Sequence, residues 1–123
     1  MAHAILIIED DNFLQGLEAK KMKKEGYDVY TAGNSVEAFR IIDKKIKIDM
    51  ILLDLMLPDV DGFEILRRIR ATPDVSSTPV IVFSNLSEEK DIEKAKQLGI
   101  SEFMVKSNFT LDQLADEVKA ILG

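Results

Sequence analysis

Short unbroken apolar runs alternate five times with longer stretches in which apolar residues return every three or four positions. The runs predict strands and the periodic stretches predict helices, the signature of βα units stacked into a parallel sheet with helices on both faces. Strands are expected near residues 4 to 8, 27 to 31, 49 to 54, 79 to 83 and 102 to 106. Residues 5–8, 51–53 and 80–83 are apolar throughout and suit central strands. In the second run Tyr27, Val29 and Thr31 alternate with Asp28, Tyr30 and Ala32, which suits an edge.

Between the strands, apolar stripes run through Val36, Phe39, Ile42 and Ile46, through Phe63, Leu66 and Ile69, through Ile92, Ala95 and Leu98, and through Leu111, Leu114, Val118 and Ile121. Asn34 or Ser35 is placed to cap the second helix, and Ser87 precedes a run of acids that opens the fourth. Gly26 and Gly99 fall where a helix stop favours glycine, and the segment from Pro58 to Gly62 is a tight turn before the third helix. Lys20, Lys21, Lys23 and Lys24 read as a solvated helix face, and His3 has no companion ligand.

Composition narrows the class. With 123 residues, a single domain spanning 1–123 is expected, large enough for a real core. The absence of cysteine excludes disulfides, thiolate metal sites and thiol nucleophiles. No apolar stretch is long enough to span a bilayer and no secretion-signal pattern opens the chain, so a cytoplasmic protein without a membrane partner is expected. A net charge of −6 without a basic stripe argues against direct nucleic-acid binding and for a protein partner or an anion carried by a metal.

The chemistry lies at the strand ends. Ligands of an open parallel sheet gather at the carboxyl ends of its strands, where this chain has Glu9, Asp10 and Asp11, then Asp54, then Ser84 and Asn85, then Lys106 and Ser107. Two like charges about 4 Å apart repel by roughly 4 kcal/mol at an effective dielectric near 20, so converging carboxylates hold a proton or recruit a cation. Oxygen ligands fit a hard divalent ion. The set suits phosphoryl transfer, with Asp54 as nucleophile, Glu9 and Asp10 holding Mg²⁺, Lys106 as a fixed positive charge and Ser84 gripping a phosphoryl oxygen.

Four segments, residues 7–11, residues 51–62, Ser84 after Val82 and Phe83, and residues 103–106, resemble the receiver domain of two-component response regulators, of the CheY-like superfamily. The resemblance covers essentially the whole chain, in order. It implies a doubly wound (βα)5 flavodoxin-like sandwich, with a parallel sheet of strand order 2-1-3-4-5. It also implies a phosphoacceptor switch rather than an enzyme: Asp54 takes a phosphoryl group from a sensor histidine kinase, a phosphotransfer protein or a small donor such as acetyl phosphate. Asp10 and Asp54 would touch Mg²⁺ directly, with the Met56 backbone carbonyl as a third ligand and Glu9 acting through water. Ser84 would move toward the phosphoryl group, Phe103 would swing inward, and the helix-strand-helix face from about residue 87 to 120 would be read by a downstream protein partner. A monomer or a weak dimer through that face is expected.

Two departures from the family pattern carry expectations. Ser107 follows Lys106 where most receivers have a cis proline, and a non-proline cis bond costs about 2.5–4 kcal/mol, so a trans bond and a reshaped loop from Ser107 to Thr110 are expected. Met56 and Leu86 are apolar where many relatives help aim water, so a long-lived aspartyl phosphate is expected.

Plainer roles stand beside these. Asp11 is better read as a helix cap than as a metal ligand, Asp59 and Asp61 as turn formers, Asn85 as a rim residue, and Phe103 equally as core or switch. A haloacid-dehalogenase-type phosphatase would need an acid at Met56, and a pseudo-receiver would have lost Asp10, Asp54 or Lys106. Nucleotide binding is disfavoured because no glycine-rich phosphate loop occurs at a strand-helix junction.

Overall fold

The computed structural model describes residues 2–123. In chain order the elements are β1 (Ala4–Ile8), α1 (Asn12–Lys24), β2 (Asp28–Ala32), α2 (Ser35–Asp43), β3 (Met50–Leu53), α3 (Gly62–Ala71), β4 (Val80–Ser84), α4 (Glu89–Gln97), β5 (Glu102–Val105) and α5 (Leu111–Leu122), with a 3-10 turn at Lys106–Asn108. The strands pair in parallel in the order β2-β1-β3-β4-β5, as expected.

Side-chain alternation along the strands sorts the core into two layers. Ile5, Ile7, Met50, Leu52, Ile81, Phe83 and Met104 face α1 and α5, while Leu6, Ile8, Ile51, Leu53, Val80, Val82 and Phe103 face α2, α3 and α4. Because helices cover both faces, central strands can be apolar at every position, as β1 and β3 are and as β4 is up to its last residue, Ser84. β2 is an edge strand with only Ala32 fully buried.

Several boundaries differ from the sequence reading. Tyr27 lies outside β2 and Ala32 inside it, since the ladder to β1 pairs Ala4 with Asp28 and Ile8 with Ala32. Ser84 ends β4 rather than following it, and Lys106 begins the 3-10 turn rather than ending β5. Ile46 lies beyond α2, which stops at Asp43; Lys45 takes a positive φ of 61° there. Asn34, not Ser35, caps α2 by accepting from the Glu37 N–H. α4 carries Glu89 and Asp91 in its first turn, as expected, and Glu88 before it makes no side-chain cap bond. Gly26 and Gly99 do adopt the left-handed backbone that ends α1 and α4, with φ of 97° and 82°.

The turn between β3 and α3 is tightly folded. Met56 bridges to Asp61, and the Gly62 N–H donates to the Leu55 carbonyl at 3.1 Å. A Cβ on Gly62 would overlap the Leu55 backbone. Backbone cannot rotate aside as a side chain can, so Gly62→Ala is expected to lower unfolding free energy by about 2–3 kcal/mol in urea denaturation. An unchanged midpoint would mean that this turn has slack.

Candidate functional site

The carboxyl ends of β1, β3, β4 and β5 converge on one mouth. The sheet itself sets the spacing: the Asp54 N–H donates to the Ile8 carbonyl at 3.0 Å, and the Glu9 N–H to the Ala32 carbonyl at 2.9 Å. Each acid therefore leaves its strand held by the neighbouring one.

Asp54 is 5% exposed and fully engaged. Its Oδ1 accepts from the Met56 N–H at 2.9 Å and from the Ser84 hydroxyl at 2.8 Å, and its Oδ2 accepts from the Lys106 ammonium at 2.6 Å. The same ammonium lies 2.6 Å from Oε1 of Glu9, which is 2% exposed. That second contact is an ion pair without hydrogen-bond alignment, since Oε1 makes no hydrogen bond among the described residues. The other Glu9 oxygen accepts from the Asp11 N–H at 3.2 Å.

Burial raises the Glu9 carboxyl to about 6; Lys106 opposes the rise and the Asp54 charge adds to it. Burial works against the charge on Lys106 too, but its hydrogen bond to Asp54 and its ion pair with Glu9 outweigh this and raise its pKa. Lys106 thus stays an ammonium between two carboxylates.

A cation fits this donor set. Glu9, Asp10 and Asp54 each offer a carboxylate oxygen, and these oxygens lie within 4.8 Å of one another. Glu9 Oε1 already faces the Lys106 ammonium at 2.6 Å, so three clustered carboxylates meet one positive charge and a divalent ion would balance the rest. Asp10 is exposed at the mouth, on a hollow it shares with Met56, Asp59 and Leu86. All-oxygen donors select a hard divalent ion over a soft one.

The sequence-derived residues otherwise fall as follows. Asp11 caps α1, its Oδ1 accepting from the Leu14 N–H at 3.1 Å, and Asp61 caps α3 by accepting from Phe63 at 2.8 Å. Phe103 is already inward, 8% exposed and packed in the core. Asn85 is exposed and lines a hollow of about 340 Å³ with Leu14, Phe83, Lys106, Ser107, Phe109 and Leu111. No cis peptide occurs among the described residues, and the loop after Lys106 leads into a capping box in which Thr110 and Gln113 bond reciprocally.

Three features escaped the sequence reading. Asp59 does more than form a turn, because it bonds Ser35 across 24 residues. Glu18 is 2% exposed on the inner face of α1. Phe13 and Leu17, four residues apart on α1, are 78% and 39% exposed, and Phe109 is 38% exposed near the mouth. The spacing of Leu14, Glu18 and Met22 could have exposed Glu18 as an acid in an apolar stripe.

A parallel sheet with this strand order, ending in an acid cluster countered by one lysine, defines a response-regulator type of α/β domain. The chain belongs to that family: the response regulator receiver domain matches residues 5–119. It is 33% identical to Sporulation initiation phosphotransferase F of Bacillus subtilis, over 99% of this chain and 95% of that protein. It is 40% identical to Transcriptional regulatory protein KdpE of Staphylococcus aureus over 98% of this chain, but spans only 50% of that relative. Among solved structures, a two-component response regulator from Clostridium difficile superposes with a TM-score of 0.89 at 29% identity, covering 98% of this chain and 95% of that one. Chemotaxis protein CheY4 of Vibrio cholerae gives a TM-score of 0.90 at 21% identity over 98% and 99% of the two chains, and bears on the fold alone.

Receiver domains generally bind Mg²⁺ at an acidic pocket, and membership implies a histidine kinase partner. The relatives include DNA-binding regulators, RpaA of Synechocystis among them, so the expectation that nucleic acid has no part finds no support in them. No helix among the described residues is long and apolar enough to cross a membrane.

Proposed function

We propose that this domain, spanning 1–123, is a phosphoacceptor switch in which Asp54 takes a phosphoryl group from the phosphohistidine of a kinase or phosphotransfer protein, or from acetyl phosphate. The observation that carries this reading is the convergence of Ser84, Lys106 and the Met56 N–H on one buried carboxylate. An Asp54 oxygen attacks phosphorus as the bond from phosphorus to the leaving imidazole or acetate breaks. Asp10, Asp54 and the Met56 carbonyl would hold Mg²⁺ directly and Glu9 through water; bound there, it neutralises charge on the phosphoryl oxygens.

Lys106 supplies a charge already in place, so it costs no reorganisation as charge moves to the new oxygens. Ser84 exchanges its bond to Asp54 for one to a phosphoryl oxygen, and the inward Phe103 is the arrangement that this exchange favours. The added group brings roughly −1.5 to −2 charges and selects the loop conformation that pairs with it. A downstream partner would read the α4-β5-α5 face, with the chain a monomer or a weak dimer through it, while the exposed Phe13, Leu17 and Phe109 offer the donor an apolar landing beside the mouth. A cytoplasmic setting follows from a kinase donor.

Intact-mass measurement with acetyl phosphate tests this. The protein is expected to gain one phosphoryl group in Mg²⁺ and none in EDTA. After donor removal the label should outlast a sampling time of seconds, because Met56 and Leu86 flank the hollow without a group to aim water. Failure to gain the group in Mg²⁺ would overturn the switch reading.

A further inference from the structure

The turn from Asp54 to Gly62 is fastened at both ends. Its near end is held by the Met56 N–H on Asp54, and its far end by the bond from Gly62 to Leu55. Between them, residues 57–60 make hydrogen bonds to another element at one place among the described residues. The Asp59 carboxylate accepts from the Ser35 N–H at 3.2 and 3.1 Å and from the Ser35 hydroxyl at 2.6 Å.

Ser35 is the first residue of α2 and is 3% exposed, although it carries a hydroxyl. Asp59 satisfies that hydroxyl and one of the free N–H groups at the helix start, where the helix dipole also favours an anion. The Ser35 bonds hold the Asp59 carboxyl below the usual carboxylate range.

These bonds close a circuit around the acid cluster. From Glu9 the path runs through its N–H to Ala32 at the end of β2, on to Ser35 at the start of α2, across to Asp59, back along the turn to Met56, to Asp54, and through the Asp54 N–H to Ile8 beside Glu9. Only the Ser35–Asp59 link in this circuit is made by two side chains. Without it, the segment bearing the Met56 carbonyl is tied to β3 and α3 but not to the β2 side that fixes Glu9.

We propose that Ser35 and Asp59 are positioning residues for the cation: their bond sets the distance between the Met56 carbonyl and the acids Glu9 and Asp10. The inference rests on the Mg²⁺ reading above. Neither residue touches the ion, and each acts through the turn.

Calorimetric Mg²⁺ titration of the metal-free protein tests it. Ser35→Ala and Asp59→Ala are each expected to weaken Mg²⁺ binding about tenfold, as loss of outer support does at other metal sites. Asp59→Ala takes the acceptor from both the Ser35 hydroxyl and the Ser35 N–H, so the double variant should be no weaker than Asp59→Ala alone. Ser35→Thr, which keeps the hydroxyl, should restore parental affinity. In NMR spectra the Met56 carbonyl carbon should shift strongly on Mg²⁺ addition in the parent and weakly in Ser35→Ala, a signature that general loosening of the fold would not single out. Parental affinity in both Ser35→Ala and Asp59→Ala would overturn the clamp while leaving the metal site intact. A parent protein that binds no Mg²⁺ would overturn the metal site and the clamp with it.

Discussion

Asp54→Ala is expected to abolish phosphoryl uptake from acetyl phosphate in the presence of Mg²⁺. No neighbouring acid can take over. Asp10 is exposed, and no hydrogen bond from Lys106 or Ser84 reaches it. Glu9 is buried, with one oxygen against Lys106 and the other on the Asp11 N–H. Removing a nucleophile from a preorganised site leaves only background reaction, so the rate should fall by about 10³-fold or more. The substitution also removes one of the three clustered carboxylates, so Mg²⁺ affinity should fall with it. Intact mass over time reads the first effect and calorimetry the second. Uptake at the parental rate would move the nucleophile elsewhere.

Glu18→Gln is expected to stabilise the protein at neutral pH. Glu18 is 2% exposed, its Oε1 has no hydrogen-bond partner among the described residues, and burial raises its pKa from 4.5 to about 8, with the charges of Glu9, Asp54 and Asp11 adding to the rise and Lys106 opposing it. The unfolded chain releases this proton near pH 4.5, whereas the folded protein keeps it until about pH 8. Between those values the folded state binds more protons than the unfolded state, so stability falls as pH rises and levels off above 8. By pH 7 the cost reaches about 3 kcal/mol at 1.36 kcal/mol per unit.

The glutamine variant cannot titrate, so its stability should match the parent near pH 4 and exceed it increasingly toward pH 8. Near pH 7 the gain corresponds to a Tm increase of about 10 °C for a domain of this size. Glu18→Leu should gain at least as much, because a well-packed apolar side chain replaces a buried acid. Parallel stability curves for parent and glutamine variant between pH 4 and 8 would show that Glu18 titrates normally.

The features legible in the sequence were those written in neighbouring residues. Unbroken runs at residues 5–8, 51–53 and 80–83 could only be strands covered on both faces, and acids directly after two of them marked the mouth. The trans loop after Lys106 followed from the serine at 107. Features set by distant partners stayed hidden. Ser84 belongs to β4 because Val105 pairs with it across the sheet, and Ser35 is buried because Asp59 reaches it from the β3-α3 turn. The acids in the first turn of α4 were legible from the run after Ser87. Glu18 stands between Leu14 and Met22 at helical spacing, but the adjoining lysines give this segment the composition of a solvated face.

Lys106 reaches Asp54 across 52 positions, from just beyond the strand at the far edge of the sheet. A ribosome that has released the chain only as far as β4 has already delivered every acid of the pocket and none of its counter-charge. The acid pocket therefore meets its own positive charge late in synthesis, and docking of the final strand is the event that brings it.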